Sequence, residues 1–512
     1  MLLPQSPRAR SWTMIAALFA LLLVLCATRV LSDPDESRYA EVGRWMLVSG
    51  DWVAPRVDGI PFFHKPPLVY WLEAAAIAVF GANAWAVRLV PASHALLMLV
   101  ALYLAAREIG GEPLARRAAL MLGTSMAFLL GGQYVNHDMA VAAWISVAIW
   151  CFALYFDAPE RRARLALLGF AACAFGVLSK GLIGIVLPAL VLLPWLVAVG
   201  RWRRIAGLPW WRGLGLFALI TVPWFVVVEQ RFPGTLAYLF GVQHFARYTA
   251  TNFNNPRAWW YYLPALVALV FPWCVLAAAT LRREAGERER WRLLGWIWLV
   301  AIVGFFSIPK SKLIGYVLPV VPPIALLAAL GYERLLARSA RWGSALRIGA
   351  CVALIAALGL QVPVAHESGR KSASDMIALV RCEVAPTDTI YVLGGYPYDL
   401  PFYLQTDQRL IVVADWPLAR RLQLDDWRTE LMDGARFDPA AGTVLQEPDV
   451  LKAAAQRPDA WVFSMLQEAP RGFALVRQGR YWGLYRSLAS AAKSPEAAQR
   501  KGLPRCDDQR QQ

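Results

Sequence analysis

Charge is what this chain is short of. Asp, Glu, Lys and Arg make up 17% of its 512 residues, against about 25% in soluble globular proteins. That deficit excludes a string of soluble domains, although the length alone has room for three or four of about 150 residues each. Acid is scarcer than base, with 36 Asp and Glu against 52 Lys and Arg. The imbalance does not make a nucleic-acid binder, because the basic residues fall mostly in short connections between apolar runs. Cysteine is sparse as well. Seven are present, with no Cys-x-x-Cys pair and no Cys/His metal spacing, so neither a disulfide scaffold nor a zinc module is encoded. No internal repeat is visible either, which excludes a solenoid and leaves no inverted-repeat transporter in view.

What is abundant is apolar. Hydrophobic residues reach 58%, against about 45–50% in soluble chains, and mean hydropathy is +0.42. The 23 Trp, 22 Phe and 17 Tyr exclude low-complexity disorder. A helix rises about 1.5 Å per residue, so about 20 apolar residues cross a hydrocarbon core of about 30 Å. Segments 12–32, 85–106, 114–133, 138–156, 165–179, 182–199, 212–230, 261–281, 293–308, 313–332 and 345–364 qualify. The first follows Arg8 and Arg10 like a signal peptide. It has the length of a span and no small-residue cleavage site before Asp33, so it is expected to stay. The stretch 165–199 is broken only at Lys180-Gly181.

Orientation follows from arginine. Every second connection carries it: Arg107/Arg116/Arg117, Arg161/Arg162/Arg164, Arg201/Arg203/Arg204, Arg282/Arg283/Arg288/Arg290 and Arg334/Arg338/Arg341. These connections and the N-terminus are expected in the cytoplasm. Loops 33–84 and 231–260 then lie outside, as does everything after 365. Residues 1–365 form the membrane domain. Beyond it the composition changes to that of a small α/β domain over 366–490. Strands are expected at 389–393, 409–413, 460–463 and 481–485, and helices at 375–381 and 449–455. Residues 491–512 are polar and expected to be disordered. Of the cysteines, Cys26, Cys151, Cys173, Cys274 and Cys351 read as apolar filler. Only Cys382 and Cys506 reach the oxidising side, where a bond between them is an open question.

The first outer loop is chemically loaded. Asp33, Asp35, Glu36 and Glu41 fall within nine residues of a membrane exit, with Arg38 among them. Carboxylates in such a place position a metal, a base or a cationic substrate. The residues 36–45 also fit a helix lying on the bilayer, because Tyr39, Val42 and Trp45/Met46 recur at helical spacing. In that plainer reading Asp33 and Asp35 only cap it. His64-Lys65-Pro66-Pro67 follows. Lys65 can bind a phosphate or simply snorkel to the headgroups. Asp138, after Asn136-His137, enters a transmembrane helix; an intramembrane acid is a functional candidate, or else the helix cap. In loop 231–260, His244 and Arg247 are three apart on a possible helix, and Trp259-Trp260-Tyr261-Tyr262 forms an interfacial belt. Lys310 and Lys312, ahead of Tyr316, stand where the positive-inside pattern avoids cations. Misplaced cations point to an anionic ligand, with a lipid phosphate the obvious one.

Asp35-Glu36-Ser37-Arg38-Tyr39-Ala40-Glu41, the Ser49-Gly50-Asp51-Trp52 step and Phe63-His64-Lys65-Pro66 resemble the first outer loop of the aminoarabinose transferases that modify lipid A. Those belong to the GT-C glycosyltransferases, with the protein O-mannosyltransferases as relatives. Leu178-Ser179-Lys180-Gly181-Leu182, His244-Phe245-Ala246-Arg247-Tyr248 and Ser311 to Pro319 are similar to later segments in the same order. The likeness covers about residues 10–330, and the C-terminal domain fits in kind. It implies a GT-C fold of about 11–13 spans with a periplasmic α/β domain, in the bacterial inner membrane. The implied reaction moves a sugar from undecaprenyl phosphate to lipid A or a related envelope acceptor.

Carried over by position, Asp35 and Asp138 match the catalytic acids of the two loops. Lys65, Arg247 and Lys312 match positions around the carrier phosphate, with Arg38 added to them. Glu36, Tyr39, Glu41 and Tyr316 are further candidates for substrate contact. The chain departs from the family at His64, where a Phe-Glu-Lys-Pro motif is usual; in a relative that Glu shares a metal ion with a His that matches His244. A His64/His244 pair is therefore a candidate for zinc, and the departure leaves the sugar open. Two other outcomes remain open: transfer to protein hydroxyls or another glycan, and a lipid-linked sugar flippase or transporter. A flippase accounts for the spans but not for the loaded loop or the soluble domain. The partners implied are the donor, the acceptor and membrane lipids.

Overall fold

The computed structural model describes residues 6–158, 162–246, 255–283, 286–422, 425–465 and 470–491. The tail expected from 491 onward falls, after its first residue, outside them. Arg247 and Cys506 do too, so the question of a Cys382–Cys506 bond is not addressed. Two compact units emerge. The first holds the described residues up to Thr28, His64–Val69 and Arg88–Val362; the second holds Arg29–Phe63, Tyr70–Val87 and the described residues from Pro363 on.

The first unit is helical throughout. Its opening helix runs Pro7–Cys26, several residues ahead of the expected 12–32. Ser6 sets that start: its side chain accepts from Ala9 N at 3.1 Å, and Pro7 sits at the first helical position, where a missing N–H costs nothing. The helix Ala84–Gly123 loses helical dihedrals at Gly110 and Gly111, which separates the expected second and third spans. The third finishes in Met126–Gly131. His137–Asp157, Ala163–Lys180, Ile183–Ala198 and Trp210–Arg231 follow. The break after Lys180 is made by Gly181, whose φ of +84° suits a residue without a Cβ. Tyr262–Val270 and Trp273–Ala278 share one expected span, divided at Pro272. Glu289–Ser307, Val321–Arg338 and Ala345–Arg370 complete the set. Among the described residues, eight helices are long and apolar enough to cross a membrane. The remaining expected spans are the shorter or divided ones, and the chain is a multi-pass membrane protein.

The Arg-rich connections are tied together at one end of this unit. Asp157 accepts from Arg201 at 2.6 Å and from Arg290 Nη2 at 3.3 Å. Glu333 accepts from Arg117 at 2.5 Å and Arg288 at 2.6 Å. Arg162 meets Glu108 at 2.8 Å. Five loops far apart in sequence thus share one set of ion pairs. Asp138 lies at the other end of the helix that ends in Asp157, roughly 30 Å away along its axis.

The second unit is an α/β domain built on a six-stranded sheet. With β1 (Arg56–Val57) and β2 (Ile60–Pro61) forming a separate small hairpin, the sheet order is β5-β4-β3-β6-β8-β7. β3 (Thr389–Leu393), β4 (Ile411–Val413), β5 (Leu445–Gln446) and β6 (Ala460–Met465) are parallel neighbours. β8 (Trp482–Ser487) and β7 (Phe473–Gln478) add antiparallel strands. One buried cluster joins Val42, Met46, Val57, Ile60 and Phe62 to Val392, Leu400, Leu431, Phe463 and Trp482. The helix Asp35–Ser49 is therefore a core element. Its Val42 and Met46, read from sequence as facing the bilayer, pack on the sheet domain instead; each buried side chain contributes about 1.5–3 kcal/mol. Its caps also differ from expectation. The N-cap is Pro34, without a side-chain hydrogen bond.

Candidate active site

In the helical unit, three elements converge on Asp138. Asn136, not Asp138, caps the helix, accepting from Asp138 N at 2.8 Å, and its amide donates back to Asp138 Oδ2 at 3.0 Å. Capping therefore does not explain the acid. Lys180, last residue of its helix, donates to Asp138 Oδ1 in an ion pair whose side chains are 13% and 8% exposed. Its Nζ lies 4.5 Å from the centre of the Tyr316 ring, close enough for cation–π attraction. Tyr316 in turn packs on Phe306 at 5.1 Å. Gly315 is required beside them: a Cβ there overlaps the Asp138 carboxylate. Asp138 and Tyr316, singled out separately in the sequence, thus meet around Lys180, which the sequence marks as a break in an apolar stretch and as part of a segment that carries the family resemblance, with no site role.

Lys312 is buried on the same strand of chain. Its ammonium donates to the carbonyls of Pro309 and Arg257, and its backbone N to Asn255 O at 3.1 Å. It fastens the start of 255–283 to the segment before Tyr316. Burial lowers its pKa. His64 and Lys65 lie together: Lys65 Nζ donates to the His64 carbonyl at 3.0 Å, and His64 Nε2 is 3.0 Å from the Tyr238 hydroxyl. Gln243 donates to that same hydroxyl. His244 falls on the π-helix Ala237–Ala246, but its side chain lies outside the described residues. Among the described residues no group of three or more His, Cys, Asp or Glu is assembled to hold a metal, so no step is routed through one.

In the α/β unit the centre is Arg38. One of its terminal nitrogens reaches Asp35 at 2.9 Å and the other makes an ion pair with Glu430. Tyr398 donates to the second oxygen of Glu430 at 2.9 Å. The rings of Tyr39, Tyr398 and Phe62 surround the guanidinium at 5.1, 5.7 and 5.9 Å. Asp35 is the open member, with its side chain 54% exposed. Arg38 is thus committed to two carboxylates, which leaves it as a holder of Asp35 more than a free cation. Glu430 and Tyr398 were invisible in the sequence, since nothing local links them to the first loop.

The other acids of that loop serve the fold. Glu36 is fully buried, paired with Arg29 and accepting from Ser32 N at 2.9 Å. Glu41 is fully buried and doubly bonded to Arg44 at 2.7 Å. Neither is placed to touch substrate, which corrects the sequence reading; each is an acid whose burial is compensated by a neighbouring arginine. Asp33 is pushed well above the usual carboxylate range by burial and by the Asp399 carboxyl. Asp399 is pushed up to about 6, chiefly by burial. It accepts from the Ser372 hydroxyl at 2.5 Å and Ala373 N at 2.8 Å.

Known proteins resemble this chain in sequence and in fold. The pattern of the family described as dolichyl-phosphate-mannose-protein mannosyltransferase matches residues 11–239. The crystal structure of ArnT from Cupriavidus metallidurans bound to undecaprenyl phosphate superposes with a TM-score of 0.80 at 27% identity, over 93% of this chain and 98% of that one. The oligosaccharyltransferase of Archaeoglobus fulgidus shares the fold alone, at a TM-score of 0.51 and 14% identity. Fold and site thus define a membrane glycosyltransferase of the GT-C class. The undecaprenyl phosphate-alpha-4-amino-4-deoxy-L-arabinose arabinosyl transferase of Pseudomonas aeruginosa strain UCBPP-PA14 is 34% identical over 375 residues, which cover 70% of this chain and 68% of that one. The chain belongs to that arabinosyl transferase family.

Proposed function

We propose that this chain transfers 4-amino-4-deoxy-L-arabinose from undecaprenyl phosphate to lipid A, on the periplasmic side of the inner membrane. The likeness to a transferase crystallised with undecaprenyl phosphate, running through both units, carries this reading. The shared set of ion pairs among the Arg-rich loops supports a cytoplasmic placement for that end, with the N-terminus on the same side and the C-terminal domain outside.

In the reaction the bond between the sugar's anomeric carbon and the carrier phosphate breaks, and an acceptor oxygen bonds to that carbon. The leaving phosphate departs as an anion, so it needs cations rather than a proton. Lys65 is the candidate for neutralising it, with Lys312 and Arg247 adding positive potential. Lys180 is already paired with Asp138; that pair holds the outer helix ends and Tyr316 in place. Asp35, the exposed carboxylate held by Arg38, orients the acceptor. If the acceptor is a hydroxyl, Asp35 also takes its proton; an acceptor phosphate is already ionised and needs no base. The match to the mannosyltransferase pattern favours the hydroxyl as a second reading.

Purified chain incubated with the undecaprenyl-phosphate sugar and lipid A tests the proposal. Free carrier phosphate together with glycosylated lipid A supports it. Carrier release that does not depend on lipid A refutes the acceptor, and a flipped but unconsumed donor refutes the enzyme. With a hydroxyl acceptor, Asp35→Asn loses about 10²–10⁴-fold in rate. With a phosphate acceptor it loses less.

A further inference from the structure

The α/β unit carries a groove that the proposed chemistry does not use. It lies between the helices Trp416–Leu422 and Trp427–Phe437 and the start of β5, with a volume of about 360 Å³, within the range of small-ligand sites. Its floor is apolar: Trp416, Met432, Ala435 and Leu445. Trp416 is fixed there, with its indole N–H donated to Gln446 O at 2.9 Å and its ring edge-on to Trp427. Arg420 and Arg436 line the groove from different helices, and no acidic side chain lines it. Arg420 has no ion-pair partner among the described residues. Arg436 reaches Asp433 at 3.3 Å with its side chain 72% exposed; so exposed a pair is worth little and is readily exchanged for another anion.

We propose that this groove is an acceptor subsite that binds a phosphate on the acceptor saccharide, separate from the group that receives the sugar. Two guanidinium forks above an apolar floor suit a phosphate carried on a sugar ring. The planar donors take phosphate oxygens in pairs, and the Trp, Met and Leu surface receives the ring's C–H face. One helix connects this groove to the acceptor-orienting carboxylate. Trp427–Phe437 holds Arg38 through Glu430 near its start and presents Arg436 near its end. The two positions are about 9 Å apart along the axis and about 120° apart around it, so one rigid helix ties the groove to the carboxylate's support without putting them on one face. The subsite rests on the reading above that the acceptor is a phosphorylated lipid.

The test uses the full chain in lipid nanodiscs with saturating donor. The acceptors are a bisphosphorylated glucosamine-disaccharide lipid and its monophosphorylated counterpart. Arg420→Ala/Arg436→Ala is expected to raise KM for the bisphosphorylated acceptor at least about tenfold, since one lost charge-assisted contact is worth that and two guanidinium groups are removed. It leaves kcat, and KM for the monophosphorylated acceptor, unchanged. Arg421→Ala, beside the groove, is expected to change neither. An unchanged KM overturns the proposal, as does an equal rise for both acceptors or the same rise from Arg421→Ala. Equilibrium binding of the soluble bisphosphorylated disaccharide, without donor, separates this subsite from the proposed function. Binding that the double variant weakens upholds the groove even if the wild type transfers nothing. Binding that the variant leaves intact refutes the groove even if transfer proceeds.

Discussion

The Asp138–Lys180 pair makes a quantitative demand on the molecule. Both side chains are nearly buried, so neither charge is well solvated. Lys180→Met leaves the Asp138 carboxylate with the Asn136 amide as its hydrogen-bond donor, and losing one partner of a buried pair costs about 3–5 kcal/mol. Asp138→Asn should cost less. The ammonium left behind keeps the Tyr316 ring at 4.5 Å, and a desolvated cation–π contact returns about 2 kcal/mol. The double variant Asp138→Asn/Lys180→Met buries no charge and should come within about 1–2 kcal/mol of wild type, which implies a coupling of about 3–6 kcal/mol. Denaturant unfolding of the purified protein in detergent, followed by tryptophan fluorescence, measures all four corners of the cycle. If the two single costs simply add, the pair is not the buried, mutually dependent unit described here. The same double variant also separates roles. Restored in stability, it should still transfer at least about 10²-fold more slowly, because Tyr316 and the helix ends lose the charges that fix them. Wild-type transfer would make the pair purely structural.

Three further outcomes follow from particular residues. Gly315→Ala places a methyl where the Asp138 carboxylate sits, so transfer should fall at least as far as in Asp138→Asn while Gly304→Ala, in open space, changes nothing; equal activity of the two alanine variants contradicts this. Asp399 has its folded pKa raised to about 6 from an ordinary value near 3.8, so its stabilisation is full below about pH 4 and lost as pH rises through 6. Asp399→Asn should therefore gain about 2 kcal/mol relative to wild type on going from pH 4.5 to 7.5, and a difference between the two proteins that is flat with pH refutes the assignment. Alkaline-phosphatase fusions after residue 370 should be active and those near residue 286 inactive; activity at the latter reverses the topology.

How much was legible in the sequence depended on how local each signal was. Transmembrane helices are written as apolar runs, so all eleven segments correspond to helix, and even the break at Lys180-Gly181 sits where the apolar stretch is interrupted. β3 and β6 were visible because buried parallel strands are short continuous apolar runs. β7 was not, since every residue after Phe473 is exposed and no alternation marks it. The helix Trp427–Phe437 was passed over although Asp426 caps it and Trp427, Leu431 and Ala435 recur every four residues. Misreading the Asp35–Ser49 stripe had a different cause. An apolar face at helical spacing does not say whether bilayer or protein covers it, and here the sheet domain does. The acids were found because clustered carboxylates at a membrane exit are conspicuous. Their division into one open acid, Asp35, and two arginine-bound ones, Glu36 and Glu41, depends on contacts that composition cannot show. Glu430 lies 392 residues from Arg38, beyond any local pattern.

The central claim is that this chain adds an amino sugar to lipid A by way of Asp35 and Lys65. Mass spectrometry of lipid A decides it most directly, comparing cells that lack the chain with cells that carry the wild type or the Asp35→Asn/Lys65→Ala variant at equal membrane levels. The account predicts lipid A heavier by one aminopentose with the wild type only. Lipid A that is identical with and without the chain, or modified equally by the variant, contradicts it.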